Sequence, residues 1–269
     1  MSAKNGKTSE VDLLTGTLHG QPRAILRSAV LALLRPLLPL HLLGVESVPT
    51  SGPLLVVSNH LSNADPIILE AVFPRPLFFI GKAELFRIPP FRWLLHRFGG
   101  FPVERGTPDR AALRHARAVL AQGIALGIYP EGIRSRTGAL IKGLPGAGLI
   151  ALQSHTPVLP VAIFGTEFFP VNGEIPQRRP RGVPRGVTVQ FGEPFHLPER
   201  VDGVRVTPEE ATHIMMLRVA TLLPERYHGA YAVYMQEVGK LVVGESASGD
   251  AGAQESWLII GGRQGAFDH

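Results

Sequence analysis

The chain has no cysteine among its 269 residues, which excludes disulfides, thiolate metal sites and cysteine nucleophiles. It has no Gly-x-Ser-x-Gly elbow to present a hydrolase serine, and no other obvious nucleophile. It also lacks His-Glu-x-x-His or a similar cluster, so a zinc hydrolase would have no ligands. Internal repeats are missing. The first twenty residues are polar, which predicts no secretory signal. An uninterrupted apolar run of about 20 residues, the length of a spanning helix, is missing too. The nearest approach, Ala24 to Leu43, is broken by Arg27, Arg35, Pro36 and Pro39.

What is present is basic and rich in turns. Lys and Arg number 27 against 22 acids, a net charge of +5, alongside 30 glycines and 24 prolines. The positive excess points to an anionic partner: a membrane surface, a phosphate-bearing substrate or nucleic acid. The length allows one large α/β domain or two small ones. In Ala24–Leu43 each central arginine would cost about 2.5–3.5 kcal/mol on insertion, so the segment is not expected to span. Arg23, Arg27 and Arg35 recur at multiples of four and share one helical face, as in an interfacial helix lying on anionic lipid. The alternative is an amphipathic helix packed on the domain's own core.

The stretch with most chemistry is Ser58-Asn-His-Leu-Ser-Asn-Ala-Asp-Pro66. It follows Leu54–Val57, an apolar run that reads as a buried strand. Asp65 then reads as a helix N-cap, with Pro66 at the first helical position. Inside one helix His60 and Asp65 would lie about 140° apart. Across a strand, a loop and a helix start, the carboxylate can fold back onto the imidazole. Loops beyond the carboxyl ends of strands are where α/β sheets carry their sites. A carboxylate-oriented histidine is the equipment for taking a proton from a hydroxyl. The plainer alternative is a capping Asp65 beside a surface His60.

Further along, Leu77–Ile80 reads as a strand, 90–98 as a helix, and Phe101-Pro-Val-Glu-Arg105 as a strand ending in an arginine. A helix is expected from Thr107-Pro108 to about Gln122, with Gly123 as its stop. Ala125–Ile128 is an apolar strand running into Tyr129-Pro-Glu-Gly-Ile-Arg-Ser135. There Gly132 lets a ligand approach the backbone, and Arg134 offers a planar fork suited to phosphate oxygens. Glu131 can hold an acceptor hydroxyl or fix Arg134. Gly146-Ala-Gly148-Leu-Ile-Ala151 fits the dinucleotide fingerprint, with Glu167 about 20 residues on. No buried strand leads directly into it, and small residues letting a helix approach the sheet explain it better. Thr156–Phe164 and Val187–Phe191 read as strands. Residues 168–186 form an arginine-rich loop, and Thr207-Pro-Glu-Glu210 a capping box opening a helix to about Leu222. A second helix is expected from Pro224 to Val238, and a disordered tail from Gly244.

Asn-His-x4-Asp at His60 and Asp65, with Pro-Glu-Gly-x-Arg-Ser at 130–135, resembles two motifs of the glycerolipid acyltransferase family, which includes the lysophosphatidic acid acyltransferases. Phe101–Arg105 and Thr156–Phe164 are similar to its other two blocks, less closely, and all four occur in family order over about half of the chain. Tyr129 and Ile133 depart from the usual Phe and Thr. The resemblance implies a single-domain αβ sandwich around a mixed, mostly parallel sheet, with an N-terminal amphipathic helix. The expected divisions are a flexible lead (1–22), an apolar interfacial helical segment (23–45), an acyltransferase domain (46–240) and a disordered tail (241–269).

By the same resemblance, His60 is the general base and Asp65 orients it. Arg105, Glu131, Gly132, Arg134, Ser135 and Lys142 bind the substrate, with Arg105 and Arg134 on its phosphate. The donor is acyl-CoA or acyl carrier protein, acting as a substrate, with no cofactor and no metal. The acceptor is a lysophospholipid, 1-acylglycerol 3-phosphate before others. Nucleic acid is not a partner; anionic membrane is, with the protein attached peripherally to the inner face from the cytoplasm. The competing reading is a non-catalytic, basic lipid-binding protein.

Overall fold

The computed structural model describes residues 20–34, 39–82, 101–103, 110–169, 172, 179–181, 185–201 and 203–237. In chain order these form α1 (Gly20–Leu34), β1 (Leu40–Leu43), β2 (Leu54–Ser58), α2 (Asp65–Val72), β3 (Leu77–Lys82) and β4 (Phe101–Val103). Then come α3 (Arg110–Ala121), β5 (Ala125–Ile128), α4 (Gly146–Ser154), β6 (Val158–Phe164), β7 (Val187–Phe191) and α5 (Pro208–Ala220), with a two-stranded ribbon, Arg200–Val201 and Val204–Arg205, before α5.

Seven strands make one sheet in the order β1-β7-β6-β2-β5-β3-β4. Every neighbouring pair is parallel except β6 with β7, so the sheet is mixed and mostly parallel, as expected. Its centre explains the unbroken apolar run at 54–57. Leu54 and Val56 point to one face, into a core with Ile68 and Leu69 of α2 and Phe73 just beyond it. Leu55 and Val57 point to the other, against Ala116 and Leu120 of α3, Ile150 of α4 and Met215 of α5. A strand covered on both sides needs apolar residues at consecutive positions, not alternate ones. At the more solvated β7, Val187, Val189 and Phe191 are buried and the residues between them are not.

Several expectations change. The 23–45 segment is not one helix: α1 ends at Leu34, and Leu40–Leu43 is an edge strand paired in parallel with Val187–Gln190. Nor do Arg23 and Arg27 face outward, while Arg35 lies outside the described residues. Arg23 is 2% exposed and donates to Glu70 Oε1 from Nε at 3.0 Å and to the Leu77 carbonyl at 3.1 Å. Arg27 donates to the carbonyls of Ala71 and Phe73 at the end of α2. The exposed side of α1 is Ala24, Ile25, Ser28, Ala29 and Ala32. The helix is amphipathic with its cations inward, because α2 offers a buried carboxylate and unpaired terminal carbonyls, which attract cations.

The expected helix at 224–238 is instead two 3-10 turns, Glu225–Tyr227 and Gly229–Tyr231, followed by a helix over 232–237. Gly229 has φ +47° and sits against the backbone of Leu140, which accepts from Ala230 N at 2.9 Å, so the chain bends there. Gly148 does serve close packing, but of helix on helix: a Cβ there would strike the Pro208 carbonyl and Thr212 of α5. The capping box forms as read, with Thr207 Oγ1 accepting from Glu210 N and the Glu210 side chain from Thr207 N. The helix expected at 90–98, the phosphate-binding candidate Arg105 and the tail lie outside the described residues.

Candidate active site

Three parallel neighbours, β6, β2 and β5, end at the same edge of the sheet, and the loops that follow them build the site. After β2, Asn59 turns its amide onto β6, donating to the Ile163 carbonyl at 2.8 Å and accepting from Ile163 N at 2.9 Å. The side chain thus replaces a rung of the ladder and holds the loop as the chain leaves the sheet. His60 comes next.

Asp65 is the first residue of α2, but the N-cap is Ala64 and no side chain caps the helix. The carboxylate is used on the loop instead. Its Oδ2 accepts from Leu61 N and Ser62 N, both at 2.7 Å, and pairs with His60 Nδ1 at 3.0 Å. Three donors on one oxygen fix the carboxylate, and the helix N-terminus adds a favourable field. The Asp65 side chain is fully buried, whereas that of His60 is 14% exposed. A carboxylate on Nδ1 sets the tautomer that leaves Nε2 as the acceptor.

The loop after β5 locks onto this one. Glu131 is buried, accepting His60 N at 2.9 Å with Oε1 and Ile141 N at 3.1 Å with Oε2. Burial pushes its carboxyl up to about 8, against the pull of the two amides. Among the described residues neither oxygen bonds Arg134. Ser135 N donates to the His60 carbonyl at 2.8 Å, and Ser135 Oγ is committed to the Ala139 carbonyl at 2.5 Å and to Thr137 Oγ1 at 3.2 Å. Both residues hold the histidine's backbone through these bonds. Gly132 has φ +67°, and a Cβ there would come within 2.7 Å of Leu144.

Arg134 is half-buried, with Nη1 donating to the Asn172 carbonyl at 2.9 Å. Lys142 is exposed, and its charge falls on His213 of α5. Among the described residues no three His, Asp or Glu side chains come together as a metal would need.

Asn172 went unnoticed in the sequence. Its Oδ1 accepts from Ser62 Oγ at 2.6 Å, its Nδ2 donates to the carbonyls of Thr166 and Glu167, and its own carbonyl takes Arg134. One amide therefore joins the loops of β2, β5 and β6. No local pattern announces the contacts with Ser62 and Arg134, which lie 110 and 38 residues away. Asn59 and Tyr129 were likewise in view only as parts of motifs.

The fold and this edge describe an α/β protein whose central strands present a carboxylate-oriented histidine, with a guanidinium on the adjoining loop. The comparisons agree with that class. The family model described as Acyltransferase matches residues 40–164, a span that begins at β1. The 1-acyl-sn-glycerol-3-phosphate acyltransferase of Borreliella burgdorferi is 32% identical over 47% of this chain and 51% of its own length. That of Cocos nucifera is 27% identical over 72% of this chain and 58% of its own. The chain thus spans about half the length of these curated relatives. A crystal structure of the Thermotoga maritima 1-acyl-sn-glycerophosphate acyltransferase, PlsC, shares the fold, with a TM-score of 0.56 and 24% identity over 76% of this chain and 82% of that one. Over residues 40–164 the chain is thus similar to the acyltransferases of this family.

Proposed function

We propose that this protein is an O-acyltransferase that moves a fatty acyl group from a thioester donor, acyl-CoA or acyl carrier protein, to the free hydroxyl of a lysophospholipid. The observation that carries this reading is the His60–Asp65 contact at 3.0 Å, with the imidazole edge open and the carboxylate closed. His60 Nε2 takes the proton of the acceptor hydroxyl as its oxygen attacks the thioester carbonyl. Asp65 stabilises the imidazolium that results. The tetrahedral intermediate collapses with loss of the C–S bond, and the proton passes from His60 to the thiolate. The ester and the free thiol balance the reaction, with no covalent enzyme intermediate and no cofactor.

Arg134 is read as a phosphate ligand: it sits on the neighbouring loop and has one N–H on Asn172, with no further bond to a described residue. Arg105 is read as a second cation, and Lys142 as a peripheral one. The acceptor should then be 1-acylglycerol 3-phosphate, giving phosphatidic acid. We read the protein as attached peripherally to the inner face of the membrane, through the apolar outer side of α1, where Ile25 is 68% exposed, and not through its arginines. Among the described residues, no helix is long and apolar enough to cross a bilayer.

The test is thiol release from acyl donors against a panel of hydroxyl acceptors. Lysophosphatidic acid should be preferred over its dephosphorylated analogue by about one to two orders of magnitude, what one charged hydrogen bond can supply. Arg134→Ala should lose most of that preference. Equal acylation of the neutral analogue by wild type would overturn the phosphate assignment.

A further inference from the structure

Beside His60 stands a column of rings that the reaction above does not use. The Tyr129 ring stacks on the His60 imidazole with centroids 4.2 Å apart and planes 17° from parallel. Phe79 in turn stacks on Tyr129 at 5.7 Å and 11°. The column is built by strand register. Phe79 of β3 pairs directly with Gly127 of β5, and Tyr129 lies two residues beyond, on the same side of the strand. Gly127 is what lets Phe79 lie flat, since a Cβ there would strike the Phe79 ring. Phe79 is buried, so the base of the column is set in the core between β3 and α2.

The phenol end is different in kind. Tyr129 Oη is buried and makes no hydrogen bond among the described residues. Burial first, and then the charge of Asp65, holds it protonated. The ring is therefore the part of Tyr129 in contact with the site, and the hydroxyl contributes no bond.

The geometry points to Tyr129 as a positioning residue of the His60–Asp65 pair, its ring, backed by Phe79, holding the imidazole in the plane that keeps Nδ1 on Asp65 and Nε2 toward the acceptor. A single hydrogen bond to Asp65 leaves the imidazole free to swing about that contact. A parallel face 4.2 Å away removes this freedom. Orientation of this kind acts on the chemical step and not on acceptor binding, because a base misplaced by about 1 Å can cost about 100-fold in rate.

The inference rests on the acyltransferase reading, and its test has one arm that needs no activity. Tyr129→Leu should lower kcat about 10- to 100-fold, with KM for the lysolipid changed less than about threefold. Tyr129→Phe keeps the ring and should restore kcat to within about threefold, with thermal stability equal to or above wild type, since it removes an unpaired buried hydroxyl. In the NMR spectrum the carbon-bound ring protons of His60, assigned with His60→Ala, should be shifted upfield by the facing ring. They should keep that shift in Tyr129→Phe and lose it in Tyr129→Leu. If Tyr129→Leu does not fold, Phe79→Leu takes its place, with a smaller loss of both shift and kcat. A Tyr129→Leu enzyme with wild-type kcat, a Tyr129→Phe enzyme as impaired as the leucine variant, or the absence of the upfield shift in wild type would each overturn the assignment. A wild type without acyl transfer but with the shift would overturn the function and leave the stack.

Discussion

Helix α2 carries an acid in its first turn and another in its last, and the two have opposite fates. At its start Asp65 meets His60, and at its end Glu70 meets Arg23, with Nη2 at 2.7 Å from Oε1. Both carboxylates are buried and both also take backbone amides, Leu61 and Ser62 on Asp65, Leu77 on Glu70. The difference lies in the partner. Arg23 is enclosed, with 3% of its side chain exposed against 14% for His60. It also has no proton to exchange in the accessible pH range. The pair at Glu70, closed to solvent, fastens α1 to α2, and burial pushes the Glu70 carboxyl up to about 8. The pair at Asp65 has an open imidazole edge and can pass a proton outward. Burial of a charge pair therefore says nothing about chemistry by itself; access and the partner's titration range do.

The comparison breaks most visibly at the His60 end. Asp65→Asn should lower kcat about 10⁴-fold, the cost of the wrong tautomer in a comparable triad, and His60→Ala should reduce turnover to background. The melting temperature of His60→Ala should stay within about 4 °C of wild type, because a partly exposed ring is lost and the buried Asp65 carboxylate keeps its two backbone donors, Leu61 N and Ser62 N. Near-normal turnover by a folded His60→Ala protein would remove the mechanism.

At the other end the signature should be inverted. Arg23→Met leaves Glu70 buried without its cation and should cost about 3–5 kcal/mol, read by denaturant or thermal melts. Adding Glu70→Leu should recover most of it, since an apolar pair of similar volume removes the desolvation cost as well. The kcat of both variants, measured below their melting temperature, should change little. A loss of kcat in Arg23→Met approaching that of Asp65→Asn would show that α2 transmits strain between its ends.

The smallest effect sharpens the comparison with a buried titratable group that lacks an ionic partner. His213 packs against Tyr231 and Tyr234, and its Nε2 makes no hydrogen bond among the described residues. Burial, and next the charge of Lys142, pushes its imidazole down from 6.5 to about 4. The unfolded chain therefore binds a proton that the native state refuses between those two values, and stability should fall as pH drops from about 6.5 to about 4. Allowing for its partly exposed ring, the contribution is about 1–3 kcal/mol. His213→Phe should flatten this part of the pH–stability curve; an unchanged slope would assign the loss to other groups.

What the sequence determined by itself was whatever rests on neighbours along the chain. The run Leu54–Val57 demanded a doubly covered strand, and Thr207 with Glu210 specified a helix start. Asn-His-x4-Asp and Pro-Glu-Gly-x-Arg-Ser marked the loops of the site. The spacing of His60 and Asp65 across a strand end and a helix start already allowed the contact that forms. Tertiary structure alone decided the partners. Periodicity put Arg23 and Arg27 on one face of α1 but could not say whether that face met lipid or protein, because Glu70 lies 47 residues away. Nor could it show that β1 would pair with β7, or that Glu131 and Ser135 would be used on the backbone of His60. Asn172 meets Ser62 and Arg134 on two other loops with no local signal. The physical reason is common to all of these. Hydrophobic pattern and turn chemistry act over a few residues, whereas a buried polar group must find its partner wherever the fold supplies one.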